Sequence, residues 1–156
     1  MLTKIKRFKL KYYLSISVAI FLLTGNGCKY SYLENSEETI IYNVTPAQAN
    51  ELIKANQAND KFIIIDVRTA REYQEGHIAN SINIDFYAST FKNQVQELNK
   101  ENTYLIYCQS GNRSFSALDF FKELKFIIIY NLQGGLSRWI NEGYPVTVYG
   151  YGKLTF

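Results

Sequence analysis

Thr103-Tyr104-Leu105-Ile106-Tyr107-Cys108-Gln109-Ser110-Gly111-Asn112-Arg113-Ser114 is the stretch whose reading decides the fold. Tyr104 to Tyr107 is an unbroken apolar and aromatic run, the composition of a short strand covered on both faces. Cys108 ends that run, a polar loop containing Gly111 follows, and a helical pattern opens near Ser114 with Leu118, Phe121 and Leu124 at helical spacing. A strand that passes through a short loop directly into a helix is the repeating joint of an α/β sheet.

The flanking sequence repeats the joint. Phe62 to Ile65 and Phe126 to Tyr130 are further unbroken apolar runs, and Ile40 to Val44 is a short strand candidate. Helical patterns separate them: Ala49, Leu52 and Ile53; Phe91, Val95 and Leu98; and Leu136, Trp139 and Ile140. Thr45 followed by Pro46 marks a helix start, a capping hydroxyl before proline at the first helical position, and Asn59-Asp60 marks its end. Gly134-Gly135 and Gly143-Tyr144-Pro145 read as turns. Strands alternating with helices predict an α/β fold with a parallel sheet and helices on both faces. The folded domain is placed at residues 40–148, and the tail at 149–156, rich in Tyr and Gly, receives no assignment.

The 156-residue chain carries a formal charge of +3 that comes from its first residues. Lys4, Lys6, Arg7, Lys9 and Lys11 are five of the 17 basic residues, and no acid precedes Glu34; the 12 others face 14 acidic residues, leaving a net charge near −2. A nucleic-acid binder keeps a basic face in its folded part, and no basic cluster follows Lys11. The basic start, the apolar run Tyr12 to Leu23 and the small residues Thr24, Gly25, Asn26 and Gly27 have the plan of a secretory signal, expected over residues 1–27. Cys28 then resembles the lipidated cysteine of bacterial lipoproteins, although Gly25 stands where that motif usually has Leu. Acylated Cys28, a cleaved signal without lipid and an uncleaved anchor are the three readings, and each places the domain outside the cytoplasm. Residues 28–39 read as a polar tether.

Open α/β sheets place their sites beyond the carboxyl ends of the strands, where Cys108 lies. The loop and the first helical turn offer unpaired N–H groups, the helix dipole adds partial positive charge, and Arg113 adds a full one. Such surroundings favour a thiolate, the reactive form of cysteine. Gly111 permits a backbone turn that aims amides inward. A buried structural cysteine at a strand end is the bland alternative; Gly111 and Arg113 at the junction argue for chemistry instead.

Three segments in order carry a family pattern. Asp66-Val67-Arg68-Thr69-Ala70-Arg71-Glu72-Tyr73, Gly76-His77-Ile78 and Ile82-Asn83-Ile84 resemble the first rhodanese signature. Cys108 to Ser114 resembles the active-site loop, and Leu132-Gln133-Gly134-Gly135-Leu136-Ser137-Arg138-Trp139 with Gly143-Tyr144-Pro145-Val146 resembles the closing signature. Where the family usually shows Pro-Gly-Ala after Gly-His-Ile, this chain has Ala79-Asn80-Ser81, which affects a turn. The resemblance implies a rhodanese-like fold with a central five-stranded parallel sheet. It also implies transfer of sulfane sulfur from a small anionic donor, by default thiosulfate, through a Cys108 persulfide to a thiol or cyanide acceptor, without metal or organic cofactor. The loop residues Gln109, Ser110, Gly111, Asn112 and Arg113 would bind the sulfur anion, and Asp66 and Arg68 would brace the loop as an ion pair.

Glu72 reads as a surface or loop-bracing carboxylate, His77 as structural and Trp139 as core. A single His and one thiol beside Cys28 leave too few ligands for zinc. Two other functions compete: a sulfur carrier or partner-binding module without turnover, and a phosphatase of the Cys-loop-Arg type. The latter usually has five residues between Cys and Arg, and here four separate Cys108 from Arg113. The loop holds no second basic residue, which predicts a weak grip on a doubly charged donor.

Overall fold

The computed structural model describes residues 38–148 and 152–154. The signal segment 1–27, Cys28 and most of the 28–39 tether lie outside the described residues. The main sheet has five parallel strands, β1 (Ile40–Val44), β2 (Phe62–Asp66), β3 (Ser81–Asn83), β4 (Thr103–Tyr107) and β5 (Ile128–Leu132), in the order β1-β5-β4-β2-β3. Among the described residues, five helices connect or follow them: α1 (Pro46–Ala55), α2 (Ala70–Glu75), α3 (Phe91–Gln96), α4 (Asn112–Glu123) and α5 (Gly135–Asn141). A short antiparallel pair, β6 (Val146–Val148) and β7 (Gly152–Leu154), follows α5.

The period of two along a strand divides the core between the two faces of the sheet. From β4, Tyr104, Ile106 and Cys108 join Phe91 and Val95 of α3 and Ala117, Leu118 and Phe121 of α4. Leu105 and Tyr107 point the other way and join Ala49 of α1 and Leu136 and Trp139 of α5. Both faces of β4 are therefore dry, which is why its sequence is apolar without alternation. The same alternation puts Cys108 under the start of α4.

Several boundaries differ from the sequence expectation. The fifth strand starts at Ile128 rather than Phe126. The Phe126 ring packs edge-on against Tyr104 and Phe121, and its N–H donates to Phe121 O at the end of α4. β3 has only three residues and carries no apolar run, so periodicity does not single it out. α1 stops at Ala55, before Asn59-Asp60, because the Asn56 side chain and backbone N–H both turn back to Leu52 O. Its start is as expected, with Thr45 and Gln48 forming a reciprocal capping box. The tail beyond residue 148, left without an assignment, contributes β7.

Candidate active site

Cys108 sits at the carboxyl end of β4, 1% exposed. Its Sγ accepts a hydrogen bond from the Gly111 N–H at 3.1 Å. Gly111 caps α4 with φ +103°, a left-handed conformation that turns its amide back toward the sulfur. α4 begins at Asn112, two residues before the expected start, so Asn112 and Arg113 belong to its first turn. Gly111 is the one loop amide bonded to the sulfur among the described residues, fewer than the sequence reading anticipated. The Ser114 hydroxyl lies 3.0 Å from Gly111 O and 2.8 Å from Asn131 Oδ1, tying the turn to β5. Asn131 in turn donates to Asn43 of β1 at 2.9 Å.

The loop is held from behind by the start of α5. Leu136 N–H donates to Cys108 O at 2.8 Å, and Ser137 N–H to Gln109 O at 2.9 Å. Two orphan donors of a helix N-terminus are thereby satisfied, and two loop carbonyls are pulled away from the sulfur. The approach is so close that a Cβ on Gly135 would lie 2.3 Å from Cys108 O. Gly135, Ser137 and Asn131 are site-forming residues to which the sequence assigns no part in the site, and Ser114, the last residue of the loop motif, adds the tie to β5. The adjacent pair Gly134-Gly135 before a helical stripe was the available signal, and it reads equally well as a turn.

Asp66 and Arg68 form a buried pair at the end of β2, with Arg68 Nη2 2.7 Å from Asp66 Oδ2. Arg68 Nε also faces both carboxylate oxygens, at 3.1 and 3.0 Å. Arg68 Nη1 reaches Gln109 Oε1 at 3.1 Å, while Gln109 Nε2 donates to Ser137 Oγ at 2.8 Å. The Gln109 side chain thus braces the loop between Arg68 and α5 rather than facing the sulfur. Asn83 completes the corner by donating to Asp66 O and Arg68 O.

Arg113 is held by Glu72 in a two-pronged pair, Nη1 to Oε2 and Nη2 to Oε1, both 2.7 Å. Glu72 is the N3 residue of the α2 capping box and also accepts from the Thr69 backbone and hydroxyl. The Arg113 guanidinium holds the Glu72 carboxyl down at about pKa 2, with the Thr69 bonds assisting against partial burial. Glu72 in turn pushes the Arg113 pKa up from an already high value. The guanidinium carbon of Arg113 lies over the Tyr87 ring, 5.6 Å from its centre, and Tyr87 is 69% exposed. Ser110 and Asn112 are exposed at the rim of the loop.

A family model described as the rhodanese-like domain matches residues 45–142. The chain belongs to the rhodanese-like domain family. Among its relatives are a sulfurtransferase from Allochromatium vinosum, 27% identical over 54% of this chain and 77% of that protein, and a thiosulfate sulfurtransferase from Coxiella burnetii, 30% identical over 62% of this chain and 84% of that protein. The crystal structure of a rhodanese-related protein from Thermoplasma volcanium superposes with a TM-score of 0.59 at 36% identity, covering 69% of this chain and 98% of that one. The five-stranded parallel sheet with covering helices is the fold this rhodanese-like domain shares with that structure.

Within this rhodanese-like domain, His77 and Tyr107 serve the framework. His77 Nδ1 lies 2.8 Å from Tyr73 O, its ring stacks on Tyr73 at 3.9 Å, and its backbone pairs with Thr147. Tyr107 OH accepts from Ile78 N–H and meets Ser81 Oγ; burial, with nearby Asp66 adding to it, pushes its pKa well above the ordinary phenol value. Trp139 is core, with Nε1 donating to Pro145 O. Cys28 lies outside the described residues.

Proposed function

We propose that this chain is a sulfurtransferase that carries sulfane sulfur on Cys108. The observation that supports this reading is the placement of the Cys108 Sγ under the first turn of α4, with the Gly111 amide aimed at it from 3.1 Å. Partial positive charge at a helix start and a fixed amide donor both favour sulfur as an anion. Cys108 is buried, so a donor reaches it end-on, through a terminal sulfur atom.

In the first half-reaction the Cys108 thiolate attacks the outer sulfur of the donor. The new S–S bond forms as the old one breaks, and the bonding pair leaves with the rest of the donor. With thiosulfate, the dianion and the thiolate become sulfite and a Cys108 persulfide anion, so charge and atoms balance. In the second half, a thiol or cyanide attacks the terminal sulfur and Cys108 returns as thiolate. Loop amides from Gln109 to Arg113 not bonded to Sγ would receive the outer sulfur of the persulfide as charge develops there. We further propose that residues 1–27 export the domain and that Cys28 tethers it to a membrane.

Intact mass of the full chain before and after incubation with thiosulfate tests the central step. One added sulfur atom on wild type and none on Cys108→Ser is the expected result, with release of that sulfur to cyanide at turnover rates. Wild type that gains no sulfur overturns the proposal, and a persulfide that forms but is never passed on replaces the enzyme with a carrier. The same spectra read the cleavage site and any acyl chains on Cys28.

A further inference from the structure

Asn131 departs from the composition that its strand calls for. It stands two residues from Ile129, on the side of the sheet covered by α4, and is buried. A parallel strand covered on both faces is built from apolar residues, and a buried carboxamide costs stability unless it is bonded. Both ends of this one are bonded. Its Nδ2 donates to Oδ1 of Asn43, its register partner on β1, at 2.9 Å. Its Oδ1 is left facing α4 and accepts from the Ser114 hydroxyl at 2.8 Å. Ser114 is wholly buried, and the same hydroxyl lies 3.0 Å from Gly111 O, one proton shared between two acceptors. Three polar side chains thus run from the edge strand to the turn over the Cys108 sulfur.

The turn needs such an anchor. At φ +103° Gly111 has no side chain to hold it, and glycine has little preference of its own. Its carbonyl is fixed by the Phe115 N–H at 2.9 Å and by Ser114, and its amide reaches Cys108 Sγ at 3.1 Å. Carbonyl and amide share one Cα, so fixing the first aims the second. Accepting the sulfur-transfer reading above, we propose that Ser114 and Asn131 are positioning residues of the reaction: through the Gly111 carbonyl they keep the Gly111 amide on the Cys108 sulfur and so hold it as a thiolate. Both are uncharged. The charges around the loop are Arg113, which couples electrostatically to Cys108, its partner Glu72, and the Asp66–Arg68 pair. Neutral substitutions at 114 and 131 leave those ions in place, so a change in the ionisation of the sulfur reports the amide.

The test uses the full chain and its Ser114→Ala, Asn131→Val and doubly substituted forms. Two rates are followed from pH 5.5 to 9.5: alkylation of Cys108 by iodoacetamide, read on the Cys108 peptide by mass, and sulfur loading from thiosulfate. Each single variant is expected to move the midpoint of both profiles upward by about 0.7–1 pH unit, a five- to tenfold loss below the midpoint, and to come within about twofold of wild type at pH 9.5. The double variant should be no more than about twofold slower than the slower single one, because both residues act through one carbonyl. A brace that only supports the fold would lower the rates equally at every pH, and that result, or a double variant in which the two losses multiply, overturns the proposal. Should Ser114→Ala fold poorly by circular dichroism, Asn131→Val decides alone, since valine suits a buried strand. Wild type that is alkylated but gains no sulfur overturns the transfer reading, and the alkylation profiles still decide whether Ser114 and Asn131 aim the Gly111 amide. Wild type that reacts with neither reagent removes both.

Discussion

Gly135 shows at the scale of one residue how this site is kept. Its φ of +58° already disfavours a side chain, and a Cβ would meet Cys108 O at 2.3 Å and Gln109 O at 2.7 Å, both of them backbone atoms that cannot rotate away. Gly135→Ala must therefore push α5 off the loop and weaken the bonds from Leu136 and Ser137. The expected outcome is a loss of about 2 kcal/mol or more in unfolding free energy, with persulfide formation slowed more than the stability loss alone explains. Urea unfolding and loading rate on the same preparation check it; a variant as stable and as fast as wild type would show that the contact is dispensable. The place of Cys108, Gly111 and Arg113 at the junction of β4 and α4 was legible in the sequence because strand, loop and helix are neighbours along the chain. Gly135 and Ser137 were not, because the atoms they serve lie about one strand and one helix away in sequence. Glu72 was half legible: its cap partner Thr69 is local, but its partner Arg113 is on a separate helix.

Among the elements, α2 and α4 are joined by the Glu72–Arg113 pair, and this makes their junction sensitive to acid. Glu72 titrates at about pKa 2 in the folded chain, against an ordinary 4.5. A depressed carboxylate pKa stabilises the fold fully above the unfolded value, and that contribution falls as pH drops from about 4.5 toward 2 and is gone below 2. With the pair partly exposed to solvent, its worth is about 1–2 kcal/mol. The difference in unfolding free energy between wild type and Glu72→Gln should therefore shrink between pH 7 and pH 3; an unchanged gap at pH 3 would mean the stabilisation does not come from the ionised carboxylate. Element identity was readable wherever burial was uniform, as in β2 and β4, or wherever a cap was explicit, as at Thr45. It was misplaced at β5, where Phe126 is apolar because it plugs the space between Tyr104 and Phe121, not because it pairs. It was missed at β3, an edge strand of three residues that sequence gives no reason to bury.

On the scale of the whole molecule, the parallel sheet and its two covering layers form one system, and the β6–β7 ribbon forms another. Every ladder of the main sheet lies within residues 40–132, and the loop around Cys108 is braced by β2, α2, α4 and α5. β7 pairs with β6, and β6 reaches the rest of the fold through the backbone pairing of Thr147 with His77 and the burial of Val146. Ending the chain at Val148 removes β7 while leaving Val146, Thr147 and every brace of the loop in place. The loss should be close to that of a short two-stranded hairpin, about 1 kcal/mol, or a Tm lower by about 2–6 °C. Loading of Cys108 by a sulfur donor should be retained within about twofold, because no step of the proposed mechanism passes through the ribbon. Thermal unfolding and the mass-based loading assay on the shortened chain measure both quantities. If loading were lost while the sheet stayed folded, the tail would belong to the functional site, and the domain boundary at residue 148 would be misplaced in function.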